Sequence, residues 1–268
     1  MIATEINNYT LYYNKIGKGK PIVMVHGSLC DSRYWKKQID AFSSFFEVYL
    51  INLRHYWPNN CNDDHEKFSI KQHSSDLITF IKKIIDRPVY LLGHSRGGAI
   101  SIKTAIEEPD IVDKLILADP GGFKIEGVDK IFDDNDDFRI KSSKLIIDNK
   151  QEEGLQLFID TVSGQNTWAR MVSWFKQMVN DNAKTLIAQS KEPPLILKIE
   201  DLSKISIPTL LIGGSISPSP YPEILDKLQQ IIPNNTRINI IGSSHGMNIG
   251  NPKVFNSNVC NFLIKNLH

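Results

Sequence analysis

Apolar runs too short for helices recur along the first half of the chain, at Pro21 to His26, Val48 to Asn52, Val89 to Gly93 and Leu115 to Ala118. Continuous runs of this length read as parallel strands buried on both faces. Between them, Tyr34 to Phe46, Ser69 to Ile85 and Ser95 to Glu108 carry apolar residues at helical spacing. The last of these stops before Pro109, which cannot continue a helix. Strands alternating with helices predict an α/β architecture around a mainly parallel sheet. Ahead of these units, Ile2 to Tyr13 holds Asn7-Asn8 between two β-prone segments, the pattern of a hairpin at a sheet edge.

After Pro120-Gly121-Gly122 the pattern changes. Residues 123–202 keep helical periodicity without a convincing buried strand, and Trp168, Met171, Trp174, Phe175, Met178 and Val179 fall at spacings that predict one apolar helix face. This segment is expected to be a helical insertion. Sheet and helix resume with Thr209 to Ile212, Pro222 to Ile232, Arg237 to Ile241 and a final helix from Pro252 to Asn266, Pro252 suiting a first turn.

With 268 residues the chain is long enough for one domain carrying an insertion. Its 31 Lys+Arg against 30 Asp+Glu produce no field that would gather nucleic acid or an anionic membrane, so a small-molecule substrate is the expected partner. The N-terminus lacks the basic and apolar regions of a secretory signal, and no apolar stretch is long enough to span a bilayer, so a cytoplasmic location is expected. Cys30, Cys61 and Cys260 are scattered and read as reduced thiols. His55, His65 and His73 have no metal-ligand spacing, and the run Asp133-Asp134-Asn135-Asp136-Asp137 lacks the Gly and the closing Glu of a calcium loop.

Chemistry concentrates at three strand ends. Gly93-His94-Ser95-Arg96-Gly97 follows the strand Val89 to Leu92 and opens a helix. A G-x-S-x-G turn in that context presents a serine Oγ at a helix N-terminus, where the dipole favours developing negative charge. His26-Gly27-Ser28-Leu29 ends an earlier strand, and its backbone can supply an N–H, at Ser28, to converge with that of Arg96 on an oxyanion. Ser243-Ser244-His245-Gly246-Met247 follows the last strand in a small-residue loop, where His245 can serve Ser95 as general base.

These motifs, with Gly93-His94-Ser95-Arg96-Gly97-Gly98 and Ser244-His245-Gly246-Met247 quoted in full, make the sequence resemble the α/β-hydrolase superfamily over nearly its whole length. His26-Gly27-Ser28-Leu29 through Asp31 and Trp35 is similar to the loop of its capped esterase and haloperoxidase-like branch. The resemblance implies a mainly parallel eight-stranded sheet, with residues 1–122 and 203–268 forming the core and 123–202 a helical cap inserted after the sixth strand, over the site. It implies no cofactor and no metal. Leu29, Tyr56, Trp57, Trp168, Trp174, Phe175 and Met247 are the expected pocket residues.

The chain departs from the pattern twice. Leu53-Arg54-His55-Tyr56-Trp57-Pro58 stands where many relatives have a glycine-rich turn, and Gly214-Ser215-Ile216-Ser217-Pro218 stands where they commonly place the triad aspartate. Ser217 carries no charge to stabilise an imidazolium. Asp119, at the end of the strand Lys114 to Ala118, keeps the chain order serine, acid, histidine and is the expected acid, with a carboxylate oxygen roughly 2.6–3.2 Å from a ring nitrogen of His245. Glu223 and Asp226 are weaker candidates, displaced into the following helix. Two partners suit the Arg96 guanidinium, a substrate carboxylate or one from the protein.

A serine at position 95 argues against haloalkane dehalogenase and epoxide hydrolase chemistry, which on this fold uses a carboxylate nucleophile. The sequence therefore predicts a serine hydrolase forming an acyl-enzyme from a small to medium ester, thioester or lactone. C–C bond hydrolysis, amide hydrolysis and perhydrolase activity use the same triad and stay open, as does a non-catalytic ligand-binding homologue.

Overall fold

The computed structural model describes residues 1–59, 67–128 and 137–264. Cys61, His65 and the acidic run starting at Asp133 therefore lie outside the description, as does the side chain of Asp137. Among the described residues, eight strands form one sheet, in spatial order β1 (Ile2–Ile6), β2 (Tyr9–Ile16), β4 (Phe46–Asn52), β3 (Lys20–Val25), β5 (Val89–His94), β6 (Val112–Ala118), β9 (Thr209–Gly214) and β10 (Asn235–Ile240). β1 runs antiparallel to β2 and β2 antiparallel to β4; every other pairing is parallel. The leading hairpin closes through Asn7 (φ 49°) and Asn8 (φ 58°), the two left-handed residues that a tight hairpin turn requires and that asparagine tolerates.

The central strands are buried on both faces, and the side-chain period of two divides them between two cores. Val23, Val25, Leu91, Leu115, Leu117 and Leu211 face the helices Ile70–Phe80, Arg96–Glu107 and Tyr221–Ile231. Ile22, Met24, Tyr90, Leu92, Ile116, Leu210 and Ile212 face Trp35, Phe42 and the helix Pro252–Ile264. Cys30 and Cys260 are both buried, the first held far above ordinary thiol ionisation by burial.

Three expectations about elements are corrected. The stretch from Tyr34 to Phe46 is not one helix but a tight turn at Ser32–Trp35 followed by the short helix Ile39–Ser43. Asp31 caps the first turn by accepting from Arg33 N–H, and buried Gln38 donates to Asn248 O at 2.8 Å, so tertiary hydrogen bonds override local helical propensity. The apolar face proposed from Trp168 to Val179 is divided between Thr167–Arg170 and Ser173–Asp181, because Met171 and Val172 are extended. Within the insertion, Phe123–Ile125 (β7) and Leu195–Leu197 (β8) pair in parallel and close its two ends together. Three residues are too few to show a strand period in sequence.

The helices Asp137–Ile147, Gln151–Ser163, Thr167–Arg170, Ser173–Asp181 and Thr185–Ser190 carry their own apolar cluster, with Leu155, Phe158, Trp168, Val179 and Leu186 at its centre. One core residue, Leu29, joins it. No helix among the described residues is long and apolar enough to cross a membrane.

Arg54 and Asp76 form a buried bidentate pair, Nε to Oδ2 at 2.7 Å and Nη2 to Oδ1 at 2.9 Å, and Asn7 Nδ2 donates to the same carboxylate at 2.9 Å. The pair thus fixes the hairpin and the helix Ile70–Phe80 to the loop after β4. Asp76→Ala leaves the guanidinium buried without its counter-charge and is expected to lower unfolding stability by about 3–5 kcal/mol in a urea titration. A loss below about 1 kcal/mol, the usual worth of a surface pair, contradicts this.

Candidate active site

The turn after β5 is fixed by close packing. A Cβ on Gly97 would lie 2.3 Å from Val25 O and 2.5 Å from His26 O, and one on Gly93 would lie 2.3 Å from Gly97 O. Glycine at 97 lets the helix Arg96–Glu107 approach β3, and glycine at 93 lets it approach β5, this closely. Ser95, wedged between them, takes φ 54° and ψ −123°, a strained conformation that a non-glycine residue holds only when its surroundings enforce it. Its N–H donates to Ala118 O at 3.0 Å and its carbonyl accepts from Gly98 and Gly121. The side chain is half-buried at the head of the helix.

Beside it runs the loop after β3. Ser95 Cβ would be 2.9 Å from a Cβ on Gly27, so that loop lies against the nucleophile turn. His26 is fully buried and accepts from Leu53 N–H at Nε2, 3.1 Å, leaving Nδ1–H to donate to Gly27 O at 2.9 Å. Ser28 is half-buried, and Leu29 adopts φ 60°. Arg96 is the first residue of its helix, where backbone N–H groups have no intrahelical acceptor. The two expected oxyanion donors thus sit on adjoining segments.

His245 is buried in the loop after β10. Its ring stacks on Tyr221, with centroids 3.9 Å apart and planes 18° apart, and its centroid lies 4.5 Å from that of the His94 ring. His94 Nε2 is 2.8 Å from His245 O, which can only accept, so His94 donates and holds the histidine loop to the residue before the nucleophile. Asp119 is fully buried at the end of β6, with φ 39°, and its N–H donates to Ile212 O.

The carboxylate of Asp119 meets His245: Oδ2 lies 3.5 Å from Nδ1. This is longer than the expected 2.6–3.2 Å. The Ser217 hydroxyl donates to the same Oδ2 at 2.6 Å. Ser217, read in the sequence as standing where relatives commonly place an aspartate, thus turns toward Asp119. Among the described residues Asp119 Oδ1 and His245 Nδ1 have no hydrogen-bond partner, so a small rotation can close the gap. Gly213 makes room for the carboxylate, since a Cβ there would lie 2.6 Å from Oδ1. Glu223 and Asp226 are exposed on the helix Tyr221–Ile231, away from this contact.

The expected pocket residues separate. Leu29 enters the cluster of the inserted helices, Met247 is buried in the core, and Tyr56 packs edge-on to His26 with centroids 4.8 Å apart. Half-buried Trp57 lies under the Arg33 guanidinium, 4.2 Å from its centroid. Trp168 is buried inside the insertion, and Trp174 packs edge-on to Phe175 near Lys36. Phe175 reaches Tyr34, whose ring borders His94. The Arg96 guanidinium pairs with Glu192, a protein carboxylate. The contacts of Ser217, His94, Tyr221 and Glu192 with the site were not expected from the sequence, because they join residues up to 151 positions apart and follow no local spacing.

Residues 20–252 match the alpha/beta hydrolase fold family. The chain belongs to that family. A Haemophilus influenzae protein named as a candidate esterase or lipase is 25% identical over 269 residues, covering 99% of this chain and 91% of that one. An Acinetobacter baylyi hydrolase of (E)-2-((N-methylformamido)methylene)succinate is 21% identical over 93% of this chain and 92% of its own. Among solved structures, a Bacillus subtilis carboxylesterase superposes with a TM-score of 0.83 at 15% identity, covering 99% of this chain and 92% of that one. A Burkholderia xenovorans enol-lactonase does so with a TM-score of 0.79 at 17% identity, covering 98% and 99%. At these identities the structures establish the alpha/beta hydrolase fold and leave the substrate to be argued from the site.

Burial lowers the pKa of three histidines around this site. His26 falls from 6.5 to about 4 through desolvation, partly offset by its bond to Gly27. His73 falls through desolvation and then the nearby Arg96 charge, and His94 through desolvation and then His245. Between about pH 4 and 6.5 the unfolded chain binds a proton at His26 that the folded protein refuses. Stability therefore rises with pH across that window and is lost on acidification, by roughly 3 kcal/mol for His26 at 1.36 kcal/mol per unit. The melting temperature is expected to fall between pH 7 and pH 5; a flat or rising profile contradicts neutral buried histidines.

Proposed function

We propose that this alpha/beta hydrolase is a serine hydrolase that cleaves a small to medium carboxylic ester, thioester or lactone through an acyl-enzyme on Ser95. The observation that carries the reading is the Asp119 carboxylate held 3.5 Å from His245 Nδ1 by Ser217. A buried acid oriented on that nitrogen leaves the opposite ring nitrogen free to serve a nucleophile.

In this reading, Ser95 Oγ attacks the substrate carbonyl while His245 takes the hydroxyl proton. The tetrahedral oxyanion is held by the N–H groups of Ser28 and Arg96. Its collapse breaks the bond to the alkoxy or thio group, which takes the proton from His245 and leaves as alcohol or thiol, or, in a lactone, stays on the acyl chain as a hydroxyl. Water then attacks the acyl-enzyme, again losing a proton to His245, and the acid departs as Ser95 recovers its own. In this reading the Asp119 carboxylate offsets the charge of the imidazolium formed in each half.

Residues 123–202 serve in this reading as a cap over the site. Phe175 is the apolar cap side chain best placed to meet an acyl group, through its contact with Tyr34 beside His94. The names of the esterase, lipase and lactonase relatives support the same reaction class.

Wild type is expected to react with a fluorophosphonate and to release p-nitrophenol from short-chain p-nitrophenyl esters, with both responses lost in Ser95→Ala. Asp119→Asn should keep the fold and lower kcat by up to about 10⁴. Labelling that persists in Ser95→Ala removes the nucleophile assignment, and an Asp119→Asn enzyme of normal kcat removes the acid.

A further inference from the structure

The two segments proposed to form the oxyanion hole are each tied by buried polar contacts to the inserted helices. Arg96 supplies one N–H from its backbone, while its side chain, 2% exposed, reaches Glu192 just beyond the helix Thr185–Ser190. Nη1 donates to Oε2 and Nη2 to Oε1, the latter at 3.1 Å, and Nη2 also lies 3.3 Å from His73 Nδ1. Glu192 Oε1 further accepts from the N–H of Ile70, the first residue of the helix Ile70–Phe80. A guanidinium and a helix N-terminus thus both donate to one carboxylate.

The other segment is tied in a comparable way. Asp31, buried three residues beyond Ser28, accepts from Arg33 Nε at 2.9 Å and Nη2 at 2.7 Å, and from Asn182 Nδ2 at 2.7 Å. Arg33 Nη1 continues to Asp181 Oδ2 at 2.8 Å, while Asn182 Oδ1 accepts from Trp57 N–H at 2.8 Å. Leu29, between Ser28 and Asp31, is fully buried in the apolar cluster of the insertion. The histidine loop has a tie as well, Ser244 Oγ to Ser163 O at 2.8 Å.

From this arrangement, and resting on the serine-hydrolase reading above, we infer that Glu192 and Asn182 are positioning residues for the reaction, fixing from the inserted segment the backbone that stabilises the oxyanion. The insertion is then part of the catalytic framework and not only a cover. Neither residue touches the reacting atoms. Their effect passes through Arg96 and Asp31, and sub-ångström misplacement of an oxyanion donor weakens the transition state more than the bound substrate. The geometry also consumes the charge of Arg96 internally, so the guanidinium serves the fold of the site and not a substrate carboxylate.

The test compares wild type with Glu192→Ala, Glu192→Gln and Asn182→Ala on a p-nitrophenyl ester, measuring kcat, KM, melting temperature and inhibition by a trifluoromethyl ketone, whose hemiketal oxyanion mimics the transition state. Glu192→Ala is expected to lower kcat by about 10²-fold, the scale set by small errors of placement. KM should change little, and affinity for the ketone should weaken in step with kcat. Glu192→Gln, which keeps an acceptor, should retain more kcat than Glu192→Ala, and added sodium acetate should raise the kcat of Glu192→Ala by refilling the carboxylate site. An unchanged kcat, or a lower kcat with undiminished ketone affinity, overturns the inference. Should Glu192→Ala fail to fold, Asn182→Ala is judged by the same kcat and ketone criteria. A wild type that neither hydrolyses the ester nor labels at Ser95 overturns the hydrolase reading; an active, labelled wild type with unaffected variants overturns this inference alone.

Discussion

The contact between Gly97 and the carbonyls of Val25 and His26 is the constraint on which the rest of the site depends. It draws the helix after Ser95 onto β3 and so brings the loop Gly27 to Asp31 against the nucleophile turn. No side chain fits between them, since even one methyl group would overlap backbone oxygen. The strained φ of 54° at Ser95 follows from that packing, because the chain must reverse from strand to helix within one residue. Loosening this approach would separate the serine from the backbone N–H groups expected to serve it.

Asp119, the expected acid, shows how neighbouring strand ends bring distant residues together. Asp119 comes from the end of β6, a strand neighbour of β9, whose following loop holds Ser217. Because parallel strands in register end side by side, the two residues lie within hydrogen-bond reach despite a separation of 98 positions. A buried carboxylate needs donors to offset its lost hydration. Ser217 supplies one, Gly213 leaves room for the other oxygen, and His245, whose ring contacts both Tyr221 and His94, completes the surroundings.

Much of the fold was legible in the sequence because its signals are local. The alternation of short apolar runs with helical spacing marks the core strands and four of their helices, and Asn7-Asn8 marks the hairpin, since each depends on neighbours a few residues away. The G-x-S-x-G turn was equally plain, its glycines being demanded by the turn itself. The break of the helix around Gln38 and the pairing of β7 with β8 were not legible, for both arise from contacts with distant chain.

For the site, the sequence by itself determined the residue types available at three strand ends and the order Ser95, Asp119, His245. Only the tertiary structure decided which distant groups surround them: that Ser217 holds Asp119, that Arg96 spends its charge on Glu192, and that Trp168 turns into the insertion's own core. The physical reason is that motif chemistry is written in backbone turns of a few residues, whereas charge pairing and side-chain packing are settled by whichever distant groups the folded sheet and its inserted helices bring within a few ångströms.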